Sequence, residues 1–141
     1  MDDNNSTLTA TYFLALNESA ISDALACAKL FAEHAKCGEN ACIKLAIVVE
    51  EVIANIVEHG ECTPGSSINL SMAQNADQII ITVSDCGTRF DPLSVEASGK
   101  MPPQRGGGAG IALIRAWSLA VDWHYSDGRN HLRIVIADHE D

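Results

Sequence analysis

Basic residues are scarce in this chain: nine lysines and arginines stand against nineteen aspartates and glutamates, for a formal net charge of −10. A surface that grips a phosphate backbone needs clustered Lys and Arg, so nucleic acid is not an expected partner. No apolar run reaches the roughly 18 residues of a spanning helix, so no membrane is expected either. The opening MDDNNSTLT has neither a basic nor an apolar segment, and no secretory signal is read in it. The five cysteines, Cys27, Cys37, Cys42, Cys62 and Cys86, are odd in number and form no C-x-x-C pair. They read as reduced thiols of a cytoplasmic protein. There is no H-E-x-x-H and no His/Cys spacing that suggests zinc. Apolar residues are plentiful at 47% of 141, which suffices for a real core and fits one domain over 1–141.

The apolar spacing along the chain changes period several times. STLTATYFLALN alternates as a first strand, with Tyr12, Leu14 and Leu16 on one face. Over 18–36 the spacing turns helical through Ile21, Leu25, Ala28, Phe31, Ala32 and Ala35, and Cys37-Gly38 ends it. A second helix over 43–60 is stopped by Gly60. SINLSMAQN and DQIIITVSD are two strands joined by a tight turn. Residues 92–108 hold three prolines, four glycines and little apolar content, which makes a loop unusually long for a compact domain. AGIALIRAWS is a short helix, and LAVDWHYSD and NHLRIVIAD are strands around Asp127-Gly128. Short turns between consecutive strands predict a mostly antiparallel sheet of about five strands, covered on one face by three helices: an α+β two-layer sandwich.

The second helix, IKLAIVVEEVIANIVEHG, is apolar almost all round yet carries Glu50, Glu51, Asn55 and His59. With Lys44 at zero and about 100° per residue, Glu51 falls at about 340°, Asn55 at about 20°, Glu58 at about 320° and His59 at about 60°. The rest of the wheel is apolar apart from Glu50, at about 240°. So narrow a polar stripe on a mostly buried helix faces a cleft, or else is a solvated edge. Glu51 and Asn55 are one turn apart, and a carboxylate beside a carboxamide suits a hydroxyl or a water next to a hard cation. Glu50 points elsewhere and reads as a salt-bridge or partner contact.

Two glycine-bearing motifs follow. In SDCGTRFDP, Asp85 ends a strongly apolar strand. A carboxylate is acceptor-only and can take an amino hydrogen from a base such as adenine. Gly87 lets the backbone approach a flat ring, although a plain Asp-x-Gly turn reads equally well. RGGGAGIALI puts Gly106, Gly107, Gly108 and Gly110 just before a helix, where free amides and the helix dipole suit a phosphate. It lacks the G-K-[ST] of a Walker loop, and Ile111 stands where G-x-G-x-x-G needs its third glycine. A flexible hinge is the alternative.

Taken in order, E-x-x-x-N on a helix, D-x-G-x-x-F-D-P after a strand and G-x-G-[IL]-x-L-I opening a helix resemble the histidine-kinase-like ATPase superfamily. Within it, the chain is similar to the anti-sigma factor serine kinases. The resemblance implies ATP and Mg²⁺ as ligands. It assigns Asn55 to the metal that bridges the phosphates and Glu51, rather than Glu50, to the general base. It assigns Asp85 and Gly87 to adenine, Gly106, Gly108 and Gly110 to phosphates, Arg105 to the terminal phosphate, and 91–107 to an ATP lid. It further implies a Ser/Thr kinase that phosphorylates a STAS-type anti-anti-sigma antagonist, sequesters a sigma factor or analogous target, and forms a homodimer. The alternative is a non-catalytic ATP-binding module that switches partners. The family often carries a threonine near the last strand pair that helps hold adenine; Asn130 and His131 stand about there.

Overall fold

The computed structural model describes residues 8–59, 62, 66–91 and 107–138. Strand β1 (Leu8–Ala15) leads into helices α1 (Ala20–Ala35) and α2 (Glu39–His59). Strands β2 (Ser67–Asn75) and β3 (Gln78–Asp85) follow, then helix α3 (Gly107–Trp117) and strands β4 (Ala120–Ser126) and β5 (Arg129–Ala137). The strands form one sheet in the order β1-β2-β3-β5-β4, and each neighbouring pair is antiparallel. The expected α+β two-layer architecture is therefore the observed one.

Two-residue alternation makes the sheet two-faced. Ile68, Leu70 and Met72 of β2, Ile79, Ile81 and Val83 of β3, and Leu132, Ile134 and Ile136 of β5 are all buried on the helix side. α1 meets this layer through Phe31 and through Ala20, Ala24, Ala28, Ala32 and Ala35, five small residues that let its backbone come close. α2 adds Leu45, Val48, Val49, Val52 and Ile53. Burying each such aliphatic side chain contributes about 1.5–3 kcal/mol. At the β4–β5 hairpin Asp127 and Gly128 both have positive φ, 55° and 73°, the type I′ geometry that matches strand twist.

Three expectations are corrected. First, α2 begins at Glu39, four residues before Ile43: Lys36 turns left-handed (φ 56°) and the Cys42 amide already donates to Gly38 O at 2.9 Å. Second, α2 is not buried all round. Ile43 is 52% exposed and Val57 40%, and with exposed Glu50 they line the arc that points away from the sheet and α1. Third, α3 begins at Gly107, so Gly107, Gly108 and Gly110 lie in its first turn rather than ahead of it. The first four amides of a helix lack intrahelical partners in either case. Among the described residues, no helix is long and apolar enough to cross a membrane.

Candidate functional site

The period that buries Ile79, Ile81 and Val83 carries Asp85 to the same side at the end of β3, so the carboxylate is buried under α2 at 6% exposure. Its Oδ1 accepts the Gly87 amide at 2.8 Å, closing an Asp-x-Gly turn. The same oxygen accepts Nδ2 of Asn130 at 3.2 Å and lies 3.8 Å from the Cys62 thiol. All three contacts go to Oδ1, and Oδ2 has no partner among the described residues. Cys62, desolvated and facing this carboxylate, has its thiol pushed up to about 11 and stays neutral near pH 7.

Asn130 sits directly across the ladder from Asp85, and it too is only 6% exposed. Besides Asp85, its Nδ2 donates to Thr88 O at 3.0 Å. Its Oδ1 accepts the Phe90 amide at 3.0 Å and the Trp123 indole Nε1 at 3.2 Å. Both donors and both lone pairs of the carboxamide are thus used. Neighbouring His131 points to the opposite sheet face, where it stacks on His124 at 4.7 Å. Of the two residues near the family's threonine position, the fold selects Asn130 for the site. Nothing local in the sequence marks it, because its role comes from a strand register that joins residues 45 apart.

A cavity of about 40 Å³ opens here, walled by Val52, Asn55 and Ile56 of α2 and by Asp85, Thr88, Phe90, Trp123 and Asn130. A mostly apolar cavity with a buried carboxylate in its wall suits an aromatic ring bearing an amino group. The enclosed space holds only a few waters, so a purine enters fully only if the lining side chains give way. The Arg89 guanidinium packs over the Trp123 ring at 5.5 Å and the Tyr125 ring at 6.0 Å.

The expected site residues divide clearly. Asn55 and Asp85 meet in the cavity, and Gly87 contributes its amide from a buried position. Glu51 is half-buried one turn before Asn55 and makes no hydrogen bond or ion pair with the described residues; it lies outside the cavity wall. Glu50 is exposed. Nearer the start of α2, the Lys44 ammonium lies 5.7 Å from the Trp117 ring of α3, so these two helices are neighbours. Gly108 and Gly110 belong to the first turn of α3. Arg105, Gly106 and the stretch expected as a lid, apart from its ends, lie outside the described residues, as does the His59 side chain.

Comparison with known proteins bears on the same region. The pattern that defines the histidine kinase-like ATPase domain matches residues 13–136. The serine/threonine-protein kinase BtrW of Bordetella bronchiseptica is 28% identical over 135 residues, which cover 92% of this chain and 94% of that protein. Two solved structures share the fold. The RsbU and RsbW domains of Rv1364c from Mycobacterium tuberculosis superpose with a TM-score of 0.70 at 15% identity, covering 93% of this chain. This chain spans only 32% of that one. The SiaB–SiaC complex from Pseudomonas aeruginosa gives 0.69 at 16% identity, with 94% of this chain and 91% of that chain covered.

Proposed function

Since the chain belongs to the histidine kinase-like ATPase domain family, we propose that it is an ATP-dependent protein serine/threonine kinase that works by exchanging partners. The observation that carries this reading is Asp85, whose Oδ1 is tied down inside the fold while Oδ2 is left for a ligand in an apolar slot. An acceptor-only group there fits the 6-amino hydrogen of adenine and opposes the oxygen of a 6-oxo purine. Asn55, which lines the same cavity, would serve the phosphate side, where a carboxamide oxygen suits Mg²⁺. Among the described residues no cluster of three or more His, Cys, Asp or Glu is gathered for a metal. A Mg²⁺ held by Asn55 would take most of its ligands from phosphates and water, and when bound it would supply positive charge against the phosphates.

Glu51 is the general base. It is half-buried, unpaired by its neighbours and one helical turn from Asn55, so it can take the proton of an incoming hydroxyl. The phosphoryl group then passes from ATP to that oxygen, and ADP leaves. The first-turn amides of α3, including those of Gly108 and Gly110, hold phosphate oxygens. Residues 91–107 act as the lid, with Gly106 beside the phosphates and Arg105 at the terminal one. The phosphate acceptor is a serine or threonine of a STAS-domain antagonist, the sequestered target is a sigma factor or an analogous protein, and the working unit is a homodimer. Support comes from the relative named a serine/threonine-protein kinase and from a fold neighbour solved as a complex with SiaC. The test is incubation with γ-labelled ATP, Mg²⁺ and a cognate STAS protein. Label on a serine or threonine of that protein is expected. Saturable ATP binding with no transfer would instead identify a non-catalytic switching module.

A further inference from the structure

We infer that Asn130 is a positioning residue that sets the base selectivity of this site, by locking which oxygen of Asp85 faces the ligand. The inference rests on the adenine reading of Asp85 given above. A carboxylate at a strand end turns about its side-chain bonds, and both of its oxygens are equivalent acceptors. What breaks the equivalence here is the set of donors on one side. The Gly87 amide and Asn130 Nδ2 both reach Oδ1, at 2.8 and 3.2 Å. The Gly87 bond belongs to the local turn and moves with it. The Asn130 bond comes from β5, across the ladder, and is the contact that references the carboxylate to the sheet.

Asn130 is itself immobilised from three directions. Thr88 O and the Phe90 amide hold it to the segment after β3, and the Trp123 indole holds it to β4. Asp85, Phe90 and Trp123 are also cavity walls, so one buried carboxamide ties together the acceptor, the Phe90 backbone and the Trp123 ring. Its amide orientation is determined: a flipped group would face the Phe90 and Trp123 donors with donors, and the Asp85 and Thr88 acceptors with its oxygen. Asn130 lines the cavity but spends all four of its bonding positions inside the protein, so it acts on the hydrogen bonding of the base through Asp85.

The test compares affinities for ATP and ITP, which differ at the 6-position (amino against oxo) and in the N1 proton that the oxo form carries, by calorimetry on the full chain. Wild type is expected to prefer ATP. In Asn130→Ala, Asp85 loses its inter-strand reference, and the ATP-to-ITP ratio is expected to fall by about tenfold or more, the change in affinity equivalent to one hydrogen bond. A role in folding alone would lower the melting temperature and leave the ratio as it was. Asn130→Asp, which keeps the shape, covers the case in which the alanine variant does not fold. Its new carboxylate faces Asp85, and the two share a proton at low pH and repel when both ionise. The ratio of this variant should fall as pH rises from about 5.5 to 8, while the wild-type ratio stays flat; the neutral Cys62 thiol beside Asp85 adds no charge in that window. Folded variants that keep the wild-type ratio at every pH overturn the role of Asn130 and leave the adenine assignment standing. A wild type that binds neither nucleotide, or both equally, overturns the adenine assignment and this inference with it.

Discussion

Asp85→Asn is the most direct test of the nucleotide site, because the structure separates its effects on folding and on binding. The carbonyl oxygen of the new amide can take over Oδ1, accepting the Gly87 amide at 2.8 Å and Asn130 Nδ2 at 3.2 Å. The local turn and the strand register therefore survive, and the stability change should stay near 1 kcal/mol, the net worth of a weakened hydrogen bond. At the position of Oδ2 the substitution places an NH₂ group, which faces the 6-amino group of adenine donor to donor. Loss of a charge-assisted bond of about 1.5–3 kcal/mol lowers ATP affinity by roughly 10- to 150-fold. A 6-oxo base presents an acceptor to the same NH₂, so ITP should gain relative to ATP. Calorimetric titration with both nucleotides, beside a melting curve of each protein, measures all of this. Unchanged ATP affinity in a variant that melts like wild type would refute the placement of adenine at Asp85.

Three further outcomes follow from the geometry. Glu51→Gln should lower phosphoryl transfer by about 10²- to 10⁴-fold with ATP affinity preserved, whereas Glu50→Gln, on the exposed arc of α2, should leave both unchanged; a dead Glu50→Gln in a transfer assay would overturn the assignment of the base. Trp123 lines the cavity, so in a Trp117→Phe background, which leaves Trp123 as the one tryptophan of two, fluorescence should change saturably with ATP; a flat titration alongside calorimetric binding would mean that the base sits elsewhere. Burial and the nearby Asp138 carboxylate push the Cys37 thiol up to about 12, from an ordinary 9. The native state thus keeps a proton that the unfolded chain gives up, and stability falls as pH rises from about 9 toward 12. Between pH 7.5 and 10.5 the urea midpoint of wild type should drop further than that of Cys37→Ala, and equal drops would show that Cys37 is not the group responsible.

Much of the fold was legible from short-range pattern. The period of two in SINLSMAQN matches β2 to the residue, and the apolar run after Asp77 is β3. The wheel separated Glu51 from Glu50, and the structure has the first half-buried and the second exposed. Asp85 was readable as the residue where an apolar strand meets a glycine turn, and Asn55 as the polar neighbour of Glu51. These features depend on residues two to four apart, whose relative directions the backbone geometry of a strand or helix dictates. Other features come only from contacts between segments distant in the chain. Ile43 and Val57 are as apolar as Val48 and Val52, yet only the second pair faces the sheet. Which arc of α2 is covered depends on where α1 and the sheet lie, and periodicity carries no such information. Asn130 looks like an ordinary polar residue after a turn. It becomes the partner of Asp85 because β5, rather than β4, pairs with β3, and because the register sets the two residues opposite each other. That pairing is a non-local choice made by burial of Leu132, Ile134 and Ile136 beside Ile79, Ile81 and Val83: a slip of one residue would turn the whole apolar set of β5 to the open face and carry Asn130 out of the cavity.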